Sequence, residues 1–431
     1  MNVQNPDDRP FRAFLSKAPW PLLIFAVAFT VRMALIVHIH YIGPLVHTEP
    51  FNVARSITAR GAFANPYELA ETGPTAHVAP LYPFVLSLLM RLLGTGAPFA
   101  VAVHAMTVAA ASAQYALFPA LAGALFGNRR IGIWTGFVGA ALPFHLWLES
   151  AGEHEAVYAG LAIAILFLCT SRWLKRGIPE VSDCIRFGLG WGVAALVSPT
   201  VLPVAAATVM LWLGWWGLRK ALLRATVAAL CCGVVVLPWI VRNYFAVRSV
   251  SVIRDNYGLE LSVSNNDLAS PLMADNLRRG LSHPFGNRAQ AGQMKAMGER
   301  AYYAMRFDSA KCWIFQHPSR FLLLTSMRVR EFWFTTTNSW PKSAFYGVLV
   351  LLGGVGLVIF CLSGCRDALL LAVLWIVFPI PFYLVQIDPR YRYPIDWSIW
   401  LLAAFAAHSL AGRLLNRKRS MVDNRQCKSV S

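Results

Sequence analysis

A small set of residues has the type and spacing to do chemistry. Glu49 stands just past a long apolar stretch, between Thr48 and Pro50. A carboxylate there could take a proton from an acceptor hydroxyl or amine as a general base, or it could simply cap the helix beginning at Pro50. Glu149, Glu153, His154 and Glu155 crowd a short turn between two apolar runs. Carboxylates so near a bilayer are costly unless solvated or paired, which suggests an aqueous pocket; a solvated, acidic helix start is the alternative. Arg390 and Arg392 flank Tyr391 in a turn bounded by Pro389 and Pro394. Guanidinium groups match phosphate through bidentate hydrogen bonds, or else snorkel to lipid headgroups. Arg242, beside Asn243 and Tyr244 at the end of a span, is a further phosphate candidate. Acids near Glu49 and His77 could hold a divalent cation, but no His/Asp spacing compels one and no metal ligand is assigned.

The elements that must position these residues are membrane helices. Only 14% of the 431 residues are charged while 57% are hydrophobic, well away from the roughly 25% charge of ordinary soluble proteins. With 15 Trp, 13 Tyr and 26 Phe the chain is too aromatic for disorder. The formal charge of +18 does not make a nucleic-acid binder, because the bases would have to share a wet face. Apolar runs of spanning length, or close to it, lie near 20–39, 79–93, 97–126, 131–148, 155–171, 187–201, 202–217, 222–241, 343–362, 367–386 and 395–411. Internal prolines (Pro199, Pro203, Pro238, Pro381) suggest broken helices lining a cavity. The predicted class is therefore an all-α polytopic membrane protein with ten to twelve spans.

Sidedness follows the basic short loops. Asn128–Arg130, Arg172–Arg176, Arg219–Arg224, Cys365–Arg366 and the tail Arg413–Arg419 are placed in the cytoplasm with the N-terminus. The opposite face receives 40–78, 242–341 and the turn 386–394. This divides the chain into an N-terminal membrane module (1–241, with the first outer loop 40–78), an outer loop region (242–341), C-terminal membrane helices (342–412) and a basic tail (413–431). A parity problem remains: two apolar runs, 79–93 and 97–126, separate an outer loop from an inner one. Either the short 79–93 run is re-entrant or one loop breaks the charge rule. Arg32, inside the first apolar run, is expected to face the bundle interior as partner to an acid. The segment 275–330 reads as one or two helices, with Pro318 opening an amphipathic run. The eight cysteines show no metal spacing and behave as small hydrophobes in or beside apolar runs, Cys312 alone lying well inside a long polar segment. The outer segment 242–341 carries 13 Lys/Arg against 7 Asp/Glu, an excess that sidedness does not explain; an anionic ligand does, as would anionic lipid headgroups.

Four motifs in order resemble a known family. An acidic residue follows the first span; then come A-R-S-I, G-A-F-A-N-P and T-G-P-T-A-H-V-A-P-L-Y-P within 54–83, P-W-I-V-R-N-Y at 238–244, R-D-N-Y-G-L-E-L at 254–261 with Asn265 and Asn266, and R-Y-R-Y-P at 390–394. The pattern is similar to the polytopic glycosyltransferases of the C-type fold, such as the bacterial protein O-mannosyltransferase and lipid A aminoarabinose transferase relatives. The resemblance implies a transferase moving a sugar from a polyprenyl-phosphate donor to a glycan, lipid or protein acceptor on the outer face of the plasma membrane, in the cell envelope. It implies Glu49 as catalytic base, a second active-site acid at Glu153 or Glu155 rather than Glu149, donor phosphate on Arg390, Arg392 and Arg242, and substrate contacts at His77, Tyr82, Asn265 and Asn266. The chain departs from relatives with Asp or an acidic pair at position 49, and from those with a basic residue directly before Pro-Pro at the second span. A flippase for a lipid-linked anion and a non-catalytic subunit of the same fold are the competing classes.

Overall fold

The computed structural model describes residues 19–39, 48–280, 283–334 and 339–428, with side chains of the last helix to residue 413. The described chain is all helix apart from two isolated bridges, Ala64–Pro74 and Leu272–Ile387. It opens with α1 (Trp20–His38) and α2 (Glu49–Arg60), followed after a turn-rich segment by α3 (Leu81–Leu93), α4 (Ala97–Ala116), α5 (Phe118–Phe126), α6 (Arg129–Ala141) and the short α7 (Leu146–Ala151). The bundle continues with α8 (Ala156–Lys175), α9 (Val181–Val197), a 3₁₀ turn at Pro199–Val201, α10 (Leu202–Trp216) and α11 (Leu218–Val247). Five helices fill the expected outer segment: α12 (Tyr257–Ser264), α13 (Met273–Arg278), α14 (Arg288–Met297), α15 (Glu299–Gln316) and α16 (Pro318–Trp333). Then come α17 (Trp340–Cys361), α18 (Arg366–Val377), α19 (Ile380–Tyr383), a 3₁₀ turn at Pro389–Tyr391 and α20 (Tyr393–Lys428).

Among the described residues, eight helical segments are long and apolar enough to cross a membrane. Two more, 129–151 and 181–197, connect the same two ends of the bundle and bring the geometric count to ten. Their ends are identifiable by contacts. At one end Asn128 meets His408 at 3.3 Å, Lys175 donates to the Ala124 carbonyl, Arg224 Nε donates to Pro179 O at 2.7 Å and Arg366 lies 5.7 Å from the Trp215 ring. The basic short loops thus gather at one end, as the charge rule requires. The opposite end carries 48–80, 149–155, 198–200, 248–334 and 384–394.

The short third helix resolves the parity problem. At 13 residues it is about 20 Å long, less than a hydrocarbon core, and it lies along α2 rather than leaving it. Phe84 packs on Phe63 (5.7 Å), Thr58 Oγ1 donates to Ser87 O (3.3 Å), and Arg91, near the far end, donates to Ile57 O (3.0 Å). The next helix also starts beside α2, where Phe99 meets Phe51 at 5.8 Å. Only 97–126, and not 79–93, thus runs from the end that carries the first loop to the end that carries Asn128–Arg130.

Other boundaries differ from the sequence expectation for local reasons. Pro238 sits inside α11 without ending it, whereas Pro143 lies in the break between α6 and α7, and Pro199 and Pro203 restart helix as N-terminal residues. The polar segment expected to hold one or two helices is cut by Gly280, Gly298 (φ 81) and Pro318 into four. Arg32 does face the interior: fully buried, it pairs with the equally buried Glu149 at 2.7 Å and donates to the carbonyls of Ala140 (3.0 Å) and Gly139 (3.1 Å).

Candidate active site

At the end of the bundle remote from the basic short loops lies a cavity of about 340 Å³ whose lining includes Glu49, His77, His154, Glu155, Arg254, Glu260 and Arg390. Five segments position them, Arg390 coming from the 389–391 turn. Glu49 is the first residue of α2, and Thr48 before it donates to Glu153 O at 3.1 Å, tying the start of that helix to the 152–155 turn. That turn is made possible by Gly152, whose φ of 68° is left-handed and whose place a Cβ would bring within 2.4 Å of Val103. His77 rides on a loop clamped from several directions: Arg254 Nε donates to its carbonyl (2.8 Å), Asp255 N to Ala76 O (3.0 Å) and Arg242 to Thr75 O (2.5 Å). Buried Glu299 accepts from Thr75 Oγ1 and from Ala76 N. Glu260 is carried by α12, held tight against α15 because Gly258 leaves no Cβ where Tyr303 O would be 2.4 Å away.

The charges in the cavity divide into paired and unpaired. Glu155 accepts from Arg254 Nη1 at 3.3 Å, and Glu260 stands 3.9 Å from His283. Burial opposes ionisation of Glu260, but His283, His77 and Arg254 outweigh it and draw its pKa down to about 2. Burial and the neighbouring Arg390 and Arg254 push His154 well below the ordinary histidine value, so its Nε2 is free to accept the hydrogen bond that Arg390 donates. Arg390 is further fixed by its stack on Tyr391 (5.4 Å) and by Asp388 at 3.8 Å. Glu49 meets no arginine or lysine within ion-pair range among the described residues; its near neighbour is His77 Nε2 at 3.9 Å. A carboxylate and a guanidinium thus line one cavity without forming an ion pair with each other.

Of the residues singled out from sequence, Glu49, Glu155, His77 and Arg390 line this cavity. Glu153 does not; it is half-buried nearby, its carboxyl pKa raised by burial against the pull of Arg390. Glu149 is occupied by Arg32, Tyr115 (2.8 Å) and Tyr393 (3.0 Å). The phosphate role expected for Arg392 and Arg242 is not carried forward, because each is already engaged. Arg392, buried, pairs with Asp396 at 2.8 Å and donates to Trp333 O at 2.6 Å; Arg242 lies against the rings of Phe63 and Trp239 and binds the carbonyls of Phe63 and Thr75. Tyr82, Asn265 and Asn266, expected as substrate contacts, do not line this cavity: Tyr82 donates to Gly152 O, Asn265 to Leu384 O (3.0 Å) and Asn266 to Val263 O (2.9 Å). Arg254, Glu260 and His154 were missed as site residues, although R-D-N-Y-G-L-E had drawn notice as a motif. Among the described residues no three His, Cys, Asp or Glu side chains gather closely enough to hold a metal ion.

No family model and no curated protein matches the sequence. Solved structures do match in shape. The oligosaccharyltransferase of Archaeoglobus fulgidus complexed with Zn and sulfate superposes with a TM-score of 0.57 at 13% identity, over 92% of this chain and 50% of that one. The oligosaccharyltransferase AglB of the same organism, complexed with an inhibitory peptide and a dolichol-phosphate, gives 0.56 at 13% identity over 95% and 52%. ArnT from Cupriavidus metallidurans bound to undecaprenyl phosphate gives 0.39 at 14% identity over 90% and 77%. The chain spans about half the length of the archaeal proteins. With its helical bundle, its helical segments at one end and its cavity between them, this chain has the C-type fold of the polytopic membrane glycosyltransferases.

Proposed function

We propose that the protein is an integral membrane glycosyltransferase that moves a sugar from a polyprenyl-phosphate donor to an acceptor on the extracytoplasmic face. The observation that carries this reading is the shared cavity of Glu49 and Arg390 at the end of the bundle away from the basic short loops. The dolichol-phosphate held by the archaeal protein of similar fold supports a lipid-phosphate donor. In the proposed reaction the acceptor oxygen or nitrogen attacks the anomeric carbon while the bond from that carbon to the phosphate oxygen breaks. The electron pair leaves with the polyprenyl phosphate, and Glu49 takes the acceptor's proton. Arg390 stabilises the negative charge growing on the phosphate, and His154 holds it in place. Arg254 is spent on Glu155 and the His77 carbonyl, so its part is to shape the wall.

The position of the cavity argues against a flippase, which wants its site near the membrane midplane. Glu49→Gln should abolish sugar transfer while leaving membrane insertion and thermal stability intact, as judged by mass spectrometry of glycolipids and glycoproteins from cells with and without the chain. Undiminished transfer by that variant would remove Glu49 from the mechanism. Transport of a lipid-linked anion in vesicles with no covalent product would replace the reading altogether.

A further inference from the structure

Behind Glu49 the cavity wall continues into a closed group of rings that the proposed reaction does not touch. Tyr67 from the turn-rich segment, His77 from the clamped loop and Tyr303 from α15 are 2%, 2% and 3% exposed. His77 Nδ1 lies 2.8 Å from the Tyr303 hydroxyl and 3.1 Å from that of Tyr67, and the two hydroxyls are 3.3 Å apart. Neither phenol has another hydrogen-bond partner among the described residues. The opposite ring nitrogen, Nε2, faces Glu49 Oε1 at 3.9 Å.

Counting hydrogens decides the tautomer. An O···O contact carries one hydrogen, so one phenol donates to the other and the second must donate to Nδ1. With Nδ1 as acceptor every hydrogen is placed. With a hydrogen on Nδ1, one phenol O–H is orphaned in a buried site, and the Nε2 lone pair is turned toward a carboxylate. A doubly protonated ring keeps the same orphan; burial, Arg254 and His283 also hold the His77 pKa well below its ordinary value. The backbone that carries the ring is fixed, because His77 N donates to Thr75 Oγ1 (2.9 Å) and its carbonyl is held by Arg254, and the ring itself packs against those of Tyr67 (5.2 Å) and His283 (6.2 Å).

We propose that Tyr67 and Tyr303 lock His77 in the Nε2–H tautomer, making it a positioning residue that presents one N–H to Glu49 and leaves the other carboxylate oxygen for the acceptor. Nε2 stands 3.9 Å from Glu49 Oε1, and in the proposed arrangement the carboxylate, 19% exposed on its side chain, closes that distance. The inference rests on the reading of Glu49 as the base. Glu49 is faced by His77 from the clamped loop, by Arg390 from the 389–391 turn, by His154 and Glu155 from the 152–155 turn, and by Arg254 and Glu260 from the segment around α12.

Two readouts separate this proposal from the functional one. Solid-state ¹⁵N NMR of the full chain in liposomes, histidine-labelled and with His77 assigned by its loss in His77→Gln, should show Nε2 protonated and Nδ1 bare between pH 5.5 and 8. The double variant Tyr67→Phe/Tyr303→Phe should show a mixture of tautomers, whereas either single variant, still able to supply one phenol hydrogen to Nδ1, should not. A protonated Nδ1 in the wild type overturns the proposal whether or not the chain transfers sugar. In the transfer assay, His77→Ala should lower kcat about tenfold at constant KM, the effect of losing one hydrogen bond to a charged group. His77→Gln, whose amide N–H can stand near the place of Nε2, should restore kcat. An unchanged kcat in His77→Ala overturns the positioning role; wild-type protein without transfer activity overturns the functional reading and leaves the tautomer to the NMR.

Discussion

Arg390 and Arg392 are two positions apart and chemically identical, yet their surroundings give them different work. Arg392 has a carboxylate and two carbonyls of the chain in its fork, Asp396 and residues 332 and 333. Arg390 has partners too, Asp388 at 3.8 Å, His154 and the Met273 sulfur, but it stands on the wall of the cavity, where Arg392 does not. Arg390→Lys should therefore cut transfer roughly 10–100-fold, the worth of a charge-assisted contact to phosphate, with little change in melting temperature. Arg392→Lys should do the reverse, and equal loss of activity in both would contradict the division. The sequence held the clue to this in Asp396, one helical turn beyond Arg392, but only burial shows that the pair is closed. Glu299 offers a separate test through pH. Burial raises its pKa from 4.5 to about 7, despite the Ala76 and Thr75 hydrogen bonds. Its contribution to stability is thus whole below the ordinary value near 4.5 and is lost as pH climbs through about 7. Between pH 5 and 8 the wild type should lose roughly 2 kcal/mol relative to Glu299→Gln, measured as the difference in their melting temperatures across that range.

Among the elements, α1, α4, α7 and α20 are stapled by one buried polar group. Glu149 accepts from Arg32, Tyr115 and Tyr393, while Arg32 also closes on carbonyls of α6. Removing one partner leaves a buried charge: Arg32→Met should cost about 3–5 kcal/mol, read from detergent melting. Adding Glu149→Gln should return part of that loss, because the tyrosines still find the amide oxygen; a double variant less stable than the single would mean the pair does not act as a unit. That Arg32 needs an acid was legible from its place in an apolar run. Which acid it takes was not, since Glu149, Glu153 and Glu155 lie within one turn of each other and differ only in the face they present. The apolar runs marked the bundle well because hydrocarbon admits little else. The outer helices were undercounted because short amphipathic segments of 6 to 18 residues carry weak periodicity and are ended by single glycines.

At the scale of the whole molecule, the formal charge of +18 contains distinct populations. Short-loop bases gather at one end of the bundle; Arg328 and Arg392, buried, and Arg242, half-buried, clamp carbonyls; Arg254 and Arg390 line the cavity. The excess in 242–341, which composition alone left to an anionic ligand or to anionic lipid headgroups, thus includes arginines with structural work. The sidedness built on the first population depends on α3 lying along α2 without crossing. A thiol at Thr95, an exposed residue just after α3, tests this against one at Ala62, exposed in the first loop before α3. In single-cysteine variants reconstituted in one orientation, a membrane-impermeant maleimide should label Thr95→Cys and Ala62→Cys from the same face. A cysteine placed at Asn128, beyond the 97–126 span, should be labelled only from the opposite face. Labelling of Thr95→Cys from the face opposite to Ala62→Cys would make α3 a true span, reverse every later crossing relative to the first loop, and separate Glu49 from Arg390 by the thickness of the membrane. The common cavity that supports the proposed transfer would then be lost, so this measurement tests fold and function together.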